Sequence, residues 1–481
     1  GITGYGVITN YGTLRKYTGV RESVVANPIN TFGTIESASG ALILTGPVTQ
    51  VSGSVLTGGT WIVDDGCALD ITTSDYLLTN RATVILHPNG TFRQIDRMYI
   101  NEGTFRLLEG RGFTCSRQFN NVGTLELGGG DFTCSKILNT GTWQGSGIIA
   151  GEITNRGTVA PAPGDFSIAM TGGYAQDETG TLKVTLDGTE TDLYAKIATS
   201  GTASLAGTLQ IVLAPGFTPT IGQKFLIVDA STRVGQFSRL DLPSLSGGLT
   251  FVPIYTSCGL AVVVGYPMAT PMEVPSVTDA RSQTLNTSIS LPAVVSAVLN
   301  DGTFFVQDAG RTAGLRIVCS DQPPFVGQKV QVAGLLYSHD LCLSLNSAHW
   351  VGYSSNALQP PTPLWVSQRS LGGETLGQQT GVLNGVGLNN VGLLVRTAGA
   401  VTYIQQYHFA YLDDGSGITD GNALGSGGRP VTGVRLIFPP NTTMPYGTTR
   451  AIVTGVSCRY YINGYPQRAI LVRSRGDIKT Y

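Results

Sequence analysis

Asn101-Glu-Gly-Thr-Phe-Arg-Leu, Asn121-Val-Gly-Thr-Leu-Glu-Leu, Asn139-Thr-Gly-Thr-Trp and Asn155-Arg-Gly-Thr-Val-Ala repeat one phrase, Asn-x-Gly-Thr, with starts 20, 18 and 16 residues apart. The phrase also opens at Asn10, and a shortened Gly-Thr recurs at Gly33, Gly59 and Gly90. Between phrases lie short β-branched or apolar stretches such as Thr83-Val84-Ile85-Leu86, Thr124-Leu125-Glu126-Leu127 and Gly147-Ile148-Ile149-Ala150. Repetition at this period, with no helical pattern between repeats, predicts a β-solenoid in which each repeat carries the chain once around a narrow core. The Gly is expected to supply a positive φ at the corner. The Asn, ~4.8 Å from its counterpart on the next rung, is expected to join an amide ladder of Asn101, Asn121, Asn139 and Asn155. About seven or eight rungs are expected by residue 160.

A second register mark agrees. Phe113-Thr-Cys-Ser and Phe132-Thr-Cys-Ser stand 19 residues apart, which sets Cys115 over Cys134. Rungs ~4.8 Å apart fall within the roughly 4.4–6.8 Å Cα range of a disulfide, so the pair reads either as a disulfide or as two buried thiols in a stack.

Composition supports strands over helices. Gly is 64 of 481 residues, about twice its usual share, while charged residues are 13%, about half of theirs. With 41% apolar residues and no long apolar run, the chain reads as folded and soluble, with no membrane insertion. Charge is split: 16 basic and 22 acidic residues up to residue 279, then 14 and 9 beyond it. Such asymmetry reads either as two surfaces evolving separately or as favouring end-to-end attraction between copies. Seven Cys form no C-x-x-C pair, and their odd number leaves at least one thiol unpaired within the chain. The chain begins at Gly1 with no start Met or signal-like segment, and so reads as a processed or partial product.

From Asn155 the text becomes Asn-Arg-Gly-Thr-Val-Ala-Pro-Ala-Pro-Gly-Asp165, then Gly173-Tyr-Ala-Gln176, Gly180-Thr-Leu-Lys-Val184, Gly207-Thr-Leu-Gln210 and Phe217-Thr-Pro-Thr-Ile-Gly-Gln-Lys224. This succession resembles the closing region of bacterial autotransporter passengers and related secreted β-helix proteins. The resemblance implies a right-handed parallel β-helix, exported and displayed at the cell surface or outside the cell. The membrane β-barrel that follows in autotransporters has no counterpart here.

Residues 265–282 carry Pro267, Pro271 and Pro275 and read as an extended linker poor for strand pairing. Beyond it two segments echo each other. Gly302-Thr-Phe-Phe-Val-Gln-Asp308, Gly314-Leu-Arg-Ile-Val318 and Val326-Gly-Gln-Lys-Val-Gln-Val-Ala-Gly334 match His408-Phe-Ala-Tyr-Leu-Asp-Asp414, Gly433-Val-Arg-Leu-Ile437 and Tyr446-Gly-Thr-Thr-Arg-Ala-Ile-Val-Thr-Gly455. The order resembles small secreted bacterial OB-fold domains. The expected fold class is all-β: a solenoid over 1–160, its continuation and β-rich cap over 161–264, the linker over 265–282, and OB-like barrels over 283–384 and 385–481. OB barrels bind oligosaccharide or single-stranded nucleic acid on one face, and the candidate contacts are Arg316, Arg396, Tyr403, Tyr407, Arg435, Arg459, Tyr460, Tyr461 and Tyr465. Net charge of +5 over the last 202 residues, without clustering, disfavours nucleic acid.

Chemistry finds little support. His87, His339, His349 and His408 are scattered, and no grouping calls for a metal or a cofactor. Asp131 and Glu152 lie about one rung apart, but Asp96, Arg97 and Glu102 complete no carboxylate pair of the kind glycoside hydrolysis uses. Asp413-Asp414-Gly-Ser-Gly417 reads as a turn ahead of a calcium loop, and Arg475-Gly-Asp477 as the end of a strand ahead of an adhesion signal. The leading expectation is a non-catalytic extracellular structural protein whose copies join head to tail into a filament or surface layer. The first alternative is a monomeric adhesin binding cell-surface glycan or protein through its barrels; the second is a β-helix polysaccharide lyase or hydrolase.

Overall fold

A computed structural model of the chain describes residues 1–163, 167–353, 358–424 and 428–481; Gly164 and Asp165 of the closing phrase lie outside them. The fold is all-β with many parallel strands, and it divides into two compact units: residues 1–250 with 255–262, and 251–254 with 263–481. No helix among the described residues is long and apolar enough to cross a membrane.

In the first unit the Thr that opens the strand of each rung, after a Gly everywhere but at Ala82-Thr83, heads a column of parallel pairs. Thr13, Thr34, Thr60, Thr83, Thr104, Thr124, Thr142, Thr158, Thr181 and Thr208 stand in register, each against the next. The alternation of a strand turns the following residue inward. Trp61, Val84, Phe105, Leu125, Trp143, Val159, Leu182 and Leu209 therefore form a second column, fully buried, each contributing about 1.5–3 kcal/mol by leaving water. The column continues upstream of residue 80 and downstream of residue 160, where the phrase has decayed but the Thr-apolar pair has not.

The glycines work differently from the expectation. Gly103, Gly123, Gly141 and Gly157 do not have positive φ. A Cβ on Gly123 would lie 2.0 Å from the Gly103 carbonyl oxygen, and one on Gly141 or Gly157 would lie 2.1 Å from the oxygen of the glycine one rung before. These positions are glycine because successive corners touch backbone to backbone.

In the second unit two sheets of the same design follow one another. Strands Ser288–Val298, Phe304–Gln307, Gly314–Cys319, Lys329–Ser338 and Leu343–Gly352 close on themselves in the order first, second, third, fifth, fourth, first. Only the third–fifth pair is parallel. Strands Leu394–Gln405, Phe409–Asp413, Val434–Ile437, Arg450–Ile462 and Tyr465–Leu471 repeat order and direction.

The linker and boundary expectations need correcting. Met272–Glu273 pairs in parallel with the first strand, and Val277–Ala280 forms a helical turn whose Val277 and Ala280 enter the core. The second copy has the same prelude in Leu364–Trp365 and the turn Gln368–Ser370. Each module thus starts about ten to twenty residues before the boundaries at 283 and 385, because a two-residue edge pair tolerates flanking prolines. The shared Asp holds this prelude. Asp308 accepts the Val277 and Thr278 N–H groups at 2.7 and 3.1 Å, and Asp414 accepts that of Gln368 at 2.8 Å.

Candidate functional site: an aromatic and arginine face on the second module

Strand pairing aligns the two copies residue by residue. One row across the first module runs Ala297, Phe305, Arg316, Ser344; the corresponding row of the second runs Tyr403, Tyr411, Arg435, Ala469. Their surroundings differ. Ala297 and Phe305 are fully buried, packed with Cys342 against Val456, Cys458, Ala469 and Leu471 of the second module. The rows differ at their first position: Ala297 is covered by the second module, whereas its counterpart Tyr403 is half-buried.

Around Tyr403 an aromatic group is assembled. The Tyr403 ring stacks on Phe409 at 6.1 Å and 23°, and both meet Tyr411 edge-on at 6.4 and 6.0 Å. Arg435 lies between two rings, its guanidinium carbon 3.7 Å from the Phe409 centroid and 4.8 Å from that of Tyr460. Tyr411 is fully buried; its hydroxyl donates to Asp420 at 2.5 Å and lies 3.3 Å from that of Tyr460. Burial first, then the Asp420 contact, pushes the Tyr411 phenol well above its ordinary range, so it stays a neutral donor. Tyr407, in the turn after the first strand, and Tyr461 and Tyr465, at the end of the fourth strand and the start of the fifth, are exposed by 62, 48 and 56%.

The other candidate contacts separate from this group. Arg316 belongs to the covered row, its Nε buried without a partner. Arg396 lies 5.7 Å over Trp365 and donates to Thr454 at 2.8 Å. Arg459 is 2% exposed and donates to the His339 carbonyl at 3.1 Å, so it ties the two modules together and is not a surface contact as expected. Phe409 and Tyr411 were not among the candidates. Their two-residue spacing in His408-Phe-Ala-Tyr-Leu-Asp, which places both on one side of a strand, was the signal.

The ladder residues of the first unit lie in one buried line. Asn101 donates to Asn121 at 2.8 Å, Asn121 to Asn139 at 2.7 Å and Asn139 to Asn155 at 2.9 Å. Asn80 precedes them at 2.9 Å and Gln176 follows at 3.2 Å. The second amide proton of each Asn reaches the carbonyl of the Thr one rung on, as from Asn121 to Thr142 at 2.9 Å. Cys115 and Cys134 follow paired residues in one stack and are buried free thiols, Cys134 pushed up to about 12 by burial and by Cys115.

Asp413 accepts the Gly415 and Gly417 N–H groups, and Asp477 is gripped by Arg473 at 2.7 and 2.9 Å. Asp96, Arg111 and Asp131 line one cleft of about 450 Å³ on the first unit, where burial raises the Asp96 carboxyl against the pull of Arg111 and Arg93. Among the described residues no three His, Cys, Asp or Glu side chains gather as metal ligands. No protein-family model matches the chain, and no curated protein matches it.

Proposed function

We propose that this is a non-catalytic extracellular binding protein: a right-handed β-helix with its cap, followed by tandem OB-like barrels of which the second binds glycan. The rung register and the Tyr174–Gln176 closing phrase support the β-helix and its kinship with secreted β-helix proteins. The strand order first-second-third-fifth-fourth supports the OB-like reading. One observation carries the function: where the first copy has the buried Ala297 the second has the half-buried Tyr403, which groups with the half-buried Phe409, Arg435 and Tyr460 around the buried Tyr411. Flat aromatic faces with a polar edge suit sugar rings, which need both apolar contact and hydrogen bonds.

Probing a glycan array with the full chain tests this. A defined set of glycans binds, and the Y403A/F409A double variant loses at least tenfold in affinity while remaining folded by circular dichroism. Absence of binding to any glycan, or unchanged binding by the double variant, refutes the reading.

Self-association is the second reading, and the opposite net charge of residues 1–279 and 280–481 favours it. Tyr5, Val7, Tyr11, Tyr17, Val20 and Phe32 are exposed about strands Ile8–Asn10 and Thr13–Lys16, an apolar group suited to contact between copies. Deleting residues 1–20 abolishes any polymers seen by negative-stain microscopy; normal polymers from the truncated chain exclude this end as the joint.

A further inference from the structure

We infer that the face of the second module recognises an acidic carbohydrate, a glycan bearing a uronate residue, with Arg435 as the anchor of its carboxylate. The inference rests on the glycan reading above and adds the chemical class. The Arg435 guanidinium makes no hydrogen bond or ion pair with any described residue; the rings of Phe409 and Tyr460 flank it. Three other arginines of the module behave otherwise. Arg473 is bidentate on Asp477, Arg468 donates to three carbonyls, and Arg396 donates to Thr454. The two rings fix the guanidinium and dehydrate its faces, leaving its in-plane N–H donors uncommitted. A planar fork held in this way is matched by a carboxylate, which accepts two parallel hydrogen bonds.

The surroundings choose among anions. Asp413 lies two residues beyond Tyr411 on the same side of its strand, and Asp420 holds the Tyr411 hydroxyl. Binding of a nucleic-acid strand needs a run of basic residues that tracks its phosphates, and Arg435 stands instead beside two carboxylates. A uronate sugar needs one cation and offers C–H faces to the Tyr403, Phe409 and Tyr460 rings.

The test titrates the full chain, by calorimetry, with a galacturonate hexasaccharide, its fully methyl-esterified form and a 12-residue oligothymidine. The ester keeps the sugar and removes the charge without touching the protein. The free acid is expected to bind at least tenfold more tightly than the ester. R435Q loses at least tenfold for the acid alone, R435K is intermediate because it keeps the charge and loses the fork, and R396Q is unchanged. Equal binding of acid and ester, with R435K equal to wild type, overturns the carboxylate assignment and leaves the glycan reading standing. No binding of either sugar here or on the glycan array, or tighter binding of the oligothymidine, overturns both.

Discussion

Replacing Asn121 by Ala removes the centre of the amide ladder, and its cost follows from the groups left behind. Asn121 Nδ2 donates to Asn139 Oδ1 at 2.7 Å and to the Thr142 carbonyl at 2.9 Å, while its Oδ1 accepts from Asn101 Nδ2 at 2.8 Å. Asn101, Asn121 and Asn139 are all fully buried, so no water replaces the lost partner. At least two buried groups, the Asn139 oxygen and one Asn101 proton, are stranded at about 1–3 kcal/mol each, giving a loss of roughly 2–6 kcal/mol. Asn10 is the comparison, since it donates to Thr31 and Thr34 from a partly exposed rung; N10A leaves groups that solvent reaches and costs about 1 kcal/mol. Urea unfolding in a W350F/W365F background, where only the buried Trp61 and Trp143 report, measures both. Equal losses for N121A and N10A, within about 0.5 kcal/mol, would show that the ladder contributes no more than a surface hydrogen bond.

Other substitutions probe separate features. G123A sets a Cβ 2.0 Å from the Gly103 carbonyl and is expected to cost about 3 kcal/mol or more in the same unfolding assay, whereas G12A, with nothing within 4 Å, stays within about 0.5 kcal/mol. Arg106 and Gln144 hold the Glu126 carboxyl below its ordinary value of 4.5. Its contribution is therefore complete above pH 4.5 and lost as pH falls through the lowered value; E126Q flattens the acid limb of the stability curve there, and an unchanged limb refutes the coupling. Arg281, fully buried, donates to the carbonyls of Gly314, Asn389 and Val391. R281M strands these three acceptors and is expected to cost about 3–5 kcal/mol in the second unit, read from its urea midpoint.

The first unit was legible where geometry repeats and misread where one residue type serves two needs. The Asn-x-Gly-Thr phrase located the ladder because every rung asks the same of its Asn. Asn80 was missed because Ala82 stands in the Gly position, and Ala fits there: the corner one rung before it, at Gly59, is the one with φ of 79°. The Gly itself was assigned to backbone dihedral freedom when the constraint is the 2.0–2.2 Å approach of the preceding corner. Sequence shows that a glycine is required and does not distinguish a missing Cβ from a left-handed φ. The Thr column shows the converse: its members continue to Thr208, beyond the phrase that advertised them, because only the inward apolar residue and the strand opening are needed.

The duplicated modules were legible as an echo, but their inequality was not, because it is set by contact between the copies. Ala297 and Tyr403 occupy the same place in the two rows, and neither residue type declares whether the row is covered. The contact makes the difference measurable. A297Y gives the first row the side chain that the second carries, and it does so at a fully buried position packed against Val456, Cys458, Ala469 and Leu471. A ring in that space must displace the second module or distort the sheet, at about 1–3 kcal/mol or more. The reverse change, Y403A, removes a partly exposed ring and costs less than about 1 kcal/mol. It takes away part of the sugar platform in the same step, so Y403A weakens binding while leaving the fold, and A297Y weakens the fold while leaving the platform. Equal stabilities for the two variants would mean that the rows are equivalent, and the argument that only the second face is free to bind would fall with that result.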